Sequence, residues 1–290
     1  MSFMKKLKDA TQKNSSLLCV GLDPDPELMP PGVSVLDFNR KIIEATADLV
    51  CSYKINLAFY EVLELEGMAA LRDTIKHMPP DIPVIGDAKL GDIGNTAKAY
   101  AKTIYSTFNF DAATVNPYLG FDSIEPFIQY KDKGVFILCR TSNPGAVDFQ
   151  SLRCETEILF NFEMERRMRP LFEIVAEKAK QWNFNGNIGL VVGATFPEEL
   201  RLIRQRYPEM PLLIPGIGAQ GGELPSAVRY GISAQRDNAI IASSRQIIYA
   251  SNGPDFPEAA RKVASNLRDQ INYYLSTIPT QLPLEAIEEH

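Results

Sequence analysis

Histidine and cysteine are scarce in this chain of 290 residues. It contains two histidines, His77 and His290, and four cysteines, none of which forms a Cys-x-x-Cys pair. Histidine-rich metal sites and Ser-His-Asp triads therefore have almost no material, and a disulfide framework or zinc site lacks its usual cysteine spacing. The sequence predicts no bound metal and leaves acid–base chemistry to lysines and carboxylates.

An excess of positive charge and a long hydrophobic run are also missing. Lysine plus arginine number 30 and aspartate plus glutamate 36, for a net charge of −6, which argues against a surface built for nucleic acid or anionic lipid. The apolar run after the amino-terminal lysines covers only residues 17–22, which is too short for a signal peptide or a membrane span. We expect a cytoplasmic enzyme or binding protein with neither nucleic acid nor membrane as a partner.

Apolar segments of strand length alternate with segments of helical period along the whole chain. The predicted strands are 16–22, 49–57, 82–87, 112–116, 134–139, 187–193, 211–216 and 239–243. The predicted helices are 36–48, 61–77, 96–108, 123–130, 165–182, 197–207, 223–230 and 257–275. The strands are continuously apolar, as parallel strands are when both faces are covered. Eight strand–helix units predict an α/β fold, a single (β/α)8 TIM barrel over residues 1–290.

One connection in this pattern is longer than the others. The fifth predicted strand starts at residue 134 and the sixth at residue 187. Long connections at this end of a barrel are commonly functional, so residues 140–161 are predicted to form an active-site lid. Residues 276–290 mix prolines with acidic residues and are expected to be a peripheral tail.

The densest group of charged residues is Asp87-Ala-Lys89-Leu-Gly-Asp92, which begins at the end of the third predicted strand. Residues two apart on a strand share a face, so Asp87 and Lys89 should point together into the barrel mouth. Buried charges are costly unless they pair, and paired aspartates keep a lysine protonated. The alternative is an ordinary ion pair in a loop.

Two further charged residues belong to the first two predicted strands. Lys54 stands inside an apolar strand, where a charge needs a partner or a role unless its stem carries it to the rim. Asn56 shares its face. Asp23 ends the first strand ahead of a proline; it is either a turn former or a member of the same charged group.

A glycine-rich stretch, Pro215-Gly-Ile-Gly-Ala-Gln-Gly-Gly222, follows the seventh predicted strand and matches G-x-G-x-x-G. A dinucleotide fold is disfavoured because position 241 is Ile rather than an acid and one helix remains after the last strand. Loops after strands 7 and 8 of barrels often bind phosphate, so Gln220 and Arg245 are candidate phosphate donors. The alternative is a glycine turn beside a surface arginine.

The stretch Arg140-Thr-Ser-Asn-Pro-Gly-Ala146 after the fifth strand carries hydroxyls and an amide suited to the polar edge of a ligand. Together these motifs resemble the orotidine 5′-phosphate decarboxylase family, in its longer bacterial-type branch, over roughly residues 15–275. The resemblance implies decarboxylation of orotidine 5′-monophosphate (OMP) to uridine 5′-monophosphate (UMP) and CO2 in pyrimidine biosynthesis, without metal or cofactor.

The resemblance also implies a role for each matching residue. Lys89 is similar to the donor of a proton to C6, Asp87 to its partner near the departing carboxylate, and Lys54 and Asp92 to the rest of an alternating charge array. Asp92 and Thr96 are expected to reach the active site of a partner subunit, which implies a homodimer. The implied substrate contacts are Asp23 at the ribose, Ser142 at the edge of the pyrimidine, and Gln220 and Arg245 at the phosphate; Asn56, Gly221 and Ser244 are also expected to bind substrate. Ser244 stands where many relatives have Gly, a difference that bears on one backbone contact.

The chemistry is consistent with these residues, because loss of CO2 leaves a carbanion that a fixed ammonium can stabilise and then protonate. Two alternatives remain. A sugar-phosphate decarboxylase related to 3-keto-gulonate 6-phosphate decarboxylase shares Asp-x-Lys-x-x-Asp but uses magnesium. A non-catalytic nucleotide-binding barrel would bind UMP without turnover.

Overall fold

The computed structural model of the protein describes residues 1–160, 163–218 and 221–278, within which eight parallel strands close into a barrel. The barrel strands are β1 (Leu18–Gly21), β2 (Ser52–Asn56), β3 (Val84–Leu90), β4 (Ala112–Val115), β5 (Gly134–Arg140), β8 (Ile188–Val192), β9 (Leu212–Ile214) and β10 (Ala239–Ser243). An antiparallel pair, β6 (Arg153–Phe160) and β7 (Glu163–Pro170), is inserted between β5 and β8. The barrel closes because β10 pairs with β1, and the predicted (β/α)8 barrel is confirmed.

Helices surround this barrel. The described α-helices are α1 (Phe3–Asn14), α2 (Val35–Thr46), α3 (Ala58–Glu61), α4 (Glu64–His77), α5 (Gly94–Lys102), α6 (Phe121–Ile128), α7 (Val147–Gln150), α8 (Leu171–Trp182), α9 (Pro197–Arg206), α10 (Leu224–Gly231), α11 (Arg245–Ile248) and α12 (Phe256–Thr277). A π-helix continues α5 over Thr103–Thr107, and 3-10 turns cover Pro117–Leu119 and Pro144–Ala146. No helix of the described ranges is long and apolar enough to cross a membrane.

Apolar side chains fill the barrel interior. Cys19, Ile85, Phe136, Leu213 and Ile240 form one buried cluster. They come from strands that are not all neighbours, so they can meet only inside the barrel. A second, larger cluster packs the outer faces of the strands against the helices. The charged residues at the carboxyl-terminal end of the strands lie above this interior cluster.

Helix α1 closes the amino-terminal end of the barrel. Phe3 is buried, and its ring meets the Phe136 ring edge-on with centroids 5.7 Å apart. A Cβ on Gly134 would lie 2.4 Å from the Phe3 ring, so a glycine at this position leaves room for Phe3, the plug at this end of the barrel. The apolar and helical periods of the sequence predict no element for residues 3–14, so α1 is an addition to the predicted fold.

The predicted helix 165–182 is wrong at its start, because α8 begins at Leu171 and the preceding residues belong to β7. Glutamate, methionine and arginine favour helices by propensity. In the structure Arg166 lies opposite Glu157 in the antiparallel register, and its Nη1 is 3.3 Å from Glu155 Oε1. Pairs of opposite charge across the two strands stabilise the hairpin. These residues therefore form a strand although their intrinsic propensity favours a helix.

The inserted segment 140–161 is structured where it is described. It contains a 3-10 turn, α7 and β6, and residues 161–162 lie outside the described ranges. At the base of the hairpin Arg169 donates to Glu173 and Glu177 on α8. Its role as a lid stays a prediction. The predicted tail 276–290 is described only as far as residue 278.

Candidate active site

Four polar side chains meet at the carboxyl-terminal end of β1 to β4. Asp23 lies just beyond β1, while Lys54, Asp87 and Thr114 belong to β2, β3 and β4. All four are buried. Functional residues of barrels come from this end of the strands, which makes the cluster the candidate active site.

Asp87 is the centre of a hydrogen-bonded charge array. Its Oδ2 accepts from Lys54 Nζ at 2.9 Å, and its Oδ1 accepts from Lys89 Nζ at 2.7 Å. Oδ1 also accepts from Thr114 Oγ1 at 2.8 Å. The side chain of Lys54 therefore ends at a buried carboxylate and does not snorkel to the rim. Charge-assisted bonds of this kind fix both ammonium groups in place.

Lys89 adopts a strained backbone. Its φ is 50°, in the left-handed region, which costs a residue with a side chain about 1–2 kcal/mol. The pairing of β3 with β4 shifts register between Gly86 and Leu90, and the Lys89 main-chain N donates to Thr114 Oγ1 at 3.0 Å. The side chain is 48% exposed at the mouth while its ammonium stays bound to Asp87. The sequence predicted a regular strand with side chains on alternating faces. The irregular backbone between Gly86 and Leu90 instead directs the Lys89 side chain toward Asp87 at the barrel mouth.

Thr114 is the residue that sequence reasoning missed. Its hydroxyl bonds both the Asp87 carboxylate and the Lys89 main chain, so it fixes the two groups relative to each other. A threonine in a strand is ordinary by propensity. The available signal was a hydroxyl within a strand that is otherwise apolar.

The array shifts the pKa values of its buried members in opposite directions. Burial alone would lower the pKa of Lys54, but the carboxylates of Asp87 and Asp23 outweigh it and hold that pKa above its usual value. Burial alone would raise the pKa of Asp87, but the ammonium groups of Lys54 and Lys89 hold it well below its usual range. Both side chains are therefore charged at neutral pH.

Asp23 is held on three sides. Its Oδ1 accepts from the Asn56 main-chain N at 3.2 Å and lies 3.8 Å from Lys54 Nζ. Its Oδ2 accepts from Ser244 Oγ at 2.8 Å, and its main-chain oxygen accepts from the Tyr249 hydroxyl at 2.8 Å. Asp23 belongs to the charged group and is more than a turn former.

Asn56 and Ser142 lie at the same end of the barrel and are half-buried. Asn56 Oδ1 accepts from the Ala58 main-chain N at 3.3 Å. Ser142 follows β5, and its main-chain oxygen accepts from Thr195 Oγ1 at 3.1 Å. Both are placed near the mouth by the ends of their strands.

The glycine-rich loop after β9 depends on left-handed backbone. Gly216, Gly218 and Gly221 have φ values of 101°, 76° and 83°, a region that glycine enters without steric cost. The Gly221 N donates to Gly218 O at 2.9 Å, so this amide is engaged within the loop. Gln220, predicted as a phosphate donor, lies outside the described residues.

Ser244 and Arg245 follow β10. Ser244 Oγ donates to Gly21 O at 3.1 Å as well as to Asp23. Arg245 is exposed, and within the described ranges its guanidinium has no hydrogen-bond or ion-pair partner. Its donors are therefore free, among these residues, to meet an anion at the mouth.

Asp92 and Thr96 do not join the array within one chain. Asp92 is half-buried, and its Oδ1 accepts from the Ile93 main-chain N at 2.8 Å. Thr96 is exposed on α5. In the part of the chain that is described, no group of three or more His, Cys, Asp and Glu side chains is arranged to hold a metal ion.

Comparisons with known proteins agree on one family. The model of the orotidine 5′-phosphate decarboxylase / HUMPS family matches residues 16–263. A Dehalococcoides mccartyi protein named orotidine 5′-phosphate decarboxylase is 54% identical over 274 residues, which cover 94% of this chain and 98% of that protein.

Two solved structures share the fold. The Leishmania donovani OMP decarboxylase is 38% identical with a TM-score of 0.79, over 95% of this chain and 100% of that one. The Leishmania donovani UMP synthase is 40% identical with a TM-score of 0.81, over 96% of this chain, and the match spans 57% of that longer chain. The extent of these matches shows that the chain belongs to the orotidine 5′-phosphate decarboxylase family.

Proposed function

We propose that this protein decarboxylates OMP to UMP and CO2 in pyrimidine biosynthesis, without metal or cofactor, and that Lys89 donates the proton to C6. The observation that carries the proposal is the array in which Asp87 binds the ammonium groups of Lys54 and Lys89 at the barrel mouth. Relatives named for this reaction match the chain over nearly its full length.

Lys89 has the properties that the reaction requires. Departure of CO2 leaves a pair of electrons on C6, in the plane of the pyrimidine ring, where the ring cannot delocalise it. An ammonium fixed beside that carbon stabilises the developing charge without reorganising. It then transfers its proton to C6, which completes UMP and leaves a neutral lysine to be reprotonated from water. The half-exposed Lys89 is the member of the array that can reach a substrate.

Asp87 and Lys54 support that step. The ionised Asp87 orients both ammonium groups through its two carboxylate oxygens, and Thr114 fixes the carboxylate itself. The negative charge of Asp87 also repels the substrate carboxylate and so favours loss of CO2, which leaves as a neutral molecule while the electron pair of the broken bond stays on C6, beside the ammonium of Lys89. Lys54 balances Asp87 and Asp23 from the buried side.

The remaining site residues are assigned to substrate binding. We place Asp23 and Asn56 at the ribose and Ser142 at the polar edge of the pyrimidine. Gln220, Gly221, Ser244 and Arg245 are assigned to the phosphate, with Arg245 as the principal donor because its guanidinium is exposed. The Gly221 amide donates to Gly218 O, so it binds phosphate directly only after it leaves that hydrogen bond.

We also propose a homodimer in which Asp92 and Thr96 complete the partner's site. Support comes from exposed apolar side chains in this part of the fold: Ile93, next to Asp92 in the chain, is 54% exposed, and Tyr118 and Leu119, which follow β4, are 80% and 49% exposed. An exposed apolar surface in the same region as Asp92 and Thr96, which do not contact the charge array of their own chain, is typical of a protein–protein interface. The inserted segment 140–161 is proposed as the lid, and a cytoplasmic location stays a prediction from the sequence.

The test is the ultraviolet absorbance of OMP mixed with purified, chelator-treated protein. The wild-type protein should convert the OMP spectrum to that of UMP, and Lys89→Ala should lose turnover while it still binds UMP. Wild-type rate in Lys89→Ala would contradict the role of Lys89. UMP binding without any conversion by the wild type would favour a binding module. Turnover of a keto-sugar phosphate that requires added magnesium would favour the sugar-phosphate decarboxylase.

A further inference from the structure

Arg140, the last residue of β5, is a buried arginine with incomplete hydrogen bonding. It is 2% exposed, and its guanidinium carbon lies 3.6 Å from the centroid of the Phe196 ring and 5.9 Å from that of Phe172. Its Nη2 is 3.5 Å from Glu199 Oε1. Its Nε and Nη1 have no partner among the residues that the structure describes. Such a placement of a charge is costly, and the stack on the Phe196 ring offsets part of that cost.

The arginine connects two loops at the mouth of the barrel. The β5–β8 register shifts between Leu138 and Arg140, which places Arg140 opposite Val192. Phe196 immediately precedes α9, and Glu199 is in the first turn of that helix. Arg140 therefore joins the start of the inserted segment to the connection between β8 and α9.

Ser142, two residues further on, is held by the same connection. Its main-chain oxygen accepts from Thr195 Oγ1 at 3.1 Å. A Cβ on Gly193 would lie 2.7 Å from Ser142 Cα, so the two backbones are in close contact. The Gly193 N also donates to Arg140 O at 2.7 Å. Residues 140–142 thus lie against residues 193–196 through hydrogen bonds, close packing and the arginine–phenylalanine stack.

Within residues 140–142, Thr141 is bound by the side chain of Gln150. Gln150 Oε1 accepts from the Thr141 main-chain N at 2.8 Å, and Gln150 Nε2 donates to Thr141 Oγ1 at 2.8 Å. Gln150 belongs to α7, so the first part of the inserted segment is tied to its own helix. The side chain of Arg140 ties the start of this stretch to the β8–α9 connection through its stack on Phe196.

We propose that Arg140 is a positioning residue that holds Ser142 against the β8–α9 connection through its cation–π contact with Phe196, and so sets the affinity for the pyrimidine nucleotide. The inference rests on the proposed contact between Ser142 and the pyrimidine. A cation desolvated against an aromatic face is worth more than an exposed one, and the planar guanidinium stacks in a way that a lysine ammonium does not.

Arg204 shows what a buried arginine looks like when its role is structural. Its Nε and Nη2 donate to Gly231 O, at 2.9 and 2.7 Å, and its remaining donors reach four other main-chain oxygens. Those acceptors are the carbonyls of Tyr207, Pro208, Met210 and Asn238. They lie at the ends of helices or before strands, away from the mouth. Arg204 is therefore the matched control for Arg140.

The experiment compares Arg140→Met, Arg140→Lys and Arg204→Met in the full chain. Steady-state kcat and KM for OMP, the Kd for UMP and Tm are measured for each variant. Arg140→Met is expected to raise KM and the UMP Kd about tenfold, the equivalent of roughly 1.4 kcal/mol, with a much smaller change in kcat. Arg140→Lys should restore part of the affinity. Arg204→Met should lower Tm and leave KM and Kd unchanged.

Phe196→Leu keeps the charge and the apolar packing but removes the aromatic face, and it covers the case in which Arg140→Met does not fold. We expect it to raise the UMP Kd several-fold, because the cation–π contact of Arg140 is lost. The inference is overturned if folded Arg140→Lys and Phe196→Leu both bind UMP like the wild type. It is also overturned if Arg140→Met only lowers Tm, as Arg204→Met does. A wild type that binds UMP without converting OMP would overturn the proposed function alone, and the UMP Kd values would still decide the role of Arg140.

Discussion

The two ends of this barrel are built on opposite principles. At the amino-terminal end α1 closes the barrel with Phe3, which packs on Phe136 over a glycine. At the carboxyl-terminal end the strands finish in charges, with Asp87 bound to Lys54 and Lys89. One end stabilises the fold by removing apolar surface from water. The other holds charged groups ready for a substrate at some cost in stability.

The arginines and the backbone show the same contrast. Arg204 has main-chain acceptors for all its nitrogens, whereas Arg140 lacks partners for two of its own among the described residues. Lys89 holds a left-handed backbone at the mouth. Backbone strain and unpaired donors of this kind are typical of a site that is preorganised for its substrate. We therefore expect substitutions at the carboxyl-terminal end to change activity, and those at the amino-terminal end to change stability alone.

Asp87→Asn should have the largest effect, because it removes the charge that both lysines bind. Lys54 would remain buried with Asp23 at 3.8 Å as its nearest carboxylate. Breaking a buried pair in this way costs about 3–5 kcal/mol, and we expect that loss in the free energy of unfolding together with loss of OMP turnover. Urea unfolding and the absorbance assay measure the two effects.

The matched control is Asp111→Asn at the amino-terminal end, where Asp111 Oδ2 accepts from Lys6 Nζ at 2.9 Å. It should lower the free energy of unfolding by less, since that pair is partly exposed, and it should leave kcat and KM unchanged. If Asp87→Asn were as stable and active as the wild type, the contrast between the ends would be lost.

Phe3→Ala tests the amino-terminal end from the apolar side. Removing a buried phenylalanine costs about 3 kcal/mol or more, and the cavity would lie against Phe136, far from the charged array. Thermal or urea unfolding should show this loss, while kcat and KM measured well below the transition should match the wild type. A changed kcat in the folded variant would mean that the plug also shapes the active site.

Much of the barrel could be predicted because its strands carry a local signal. Continuous apolar runs separated by helical periods mark parallel strands covered on both faces. Lys54 and Asp87 were found as charges within such runs, since a buried charge needs a partner. The pairing of Lys54 with Asp87 was not predicted from the residues themselves; the family resemblance implied that both belong to one charge array.

The features that were missed or mistaken depend on non-local contacts. Helix α1 is rich in lysine, and its burial depends on Phe3 fitting over Gly134 from a distant strand. The β6–β7 hairpin is made of helix-favouring residues whose partners lie across the strand pair. The irregular backbone at Lys89 is linked to the Thr114 hydroxyl by hydrogen bonds. Neither residue type predicts this contact, because it joins two different strands.

Arg245→Ala should weaken phosphate-bearing ligands and leave others unaffected. A hydrogen bond to a charged group contributes about 1.5–3 kcal/mol, so the UMP Kd should rise roughly tenfold to a hundredfold. The uridine Kd should not change. Calorimetric titration with both ligands measures the difference. Arg236→Ala is the control, because Arg236 precedes β10 at the opposite end and donates to Ile278 O; equal losses in the two variants would refute a phosphate role for Arg245.

Ser244→Ala should have the smallest effect and is the most specific test of the mouth. Ser244 Oγ fixes one oxygen of Asp23 at 2.8 Å, and loss of such a bond to a carboxylate costs about 1.5 kcal/mol at a half-buried site. We therefore expect a KM for OMP roughly tenfold higher with kcat unchanged, because Asp23 is assigned to the ribose rather than to C6.

The control for Ser244 is Ser16→Ala, which removes a buried hydroxyl that donates to Leu49 O at 2.7 Å. It should lower the free energy of unfolding by a similar amount and leave KM unchanged. Ser244→Gly separates the hydroxyl from the backbone: the same KM as Ser244→Ala would assign the effect to the bond with Asp23. A much larger change in Ser244→Gly would assign it to the backbone conformation that leads into Arg245, and the two ends would then differ in chain geometry as well as in charge.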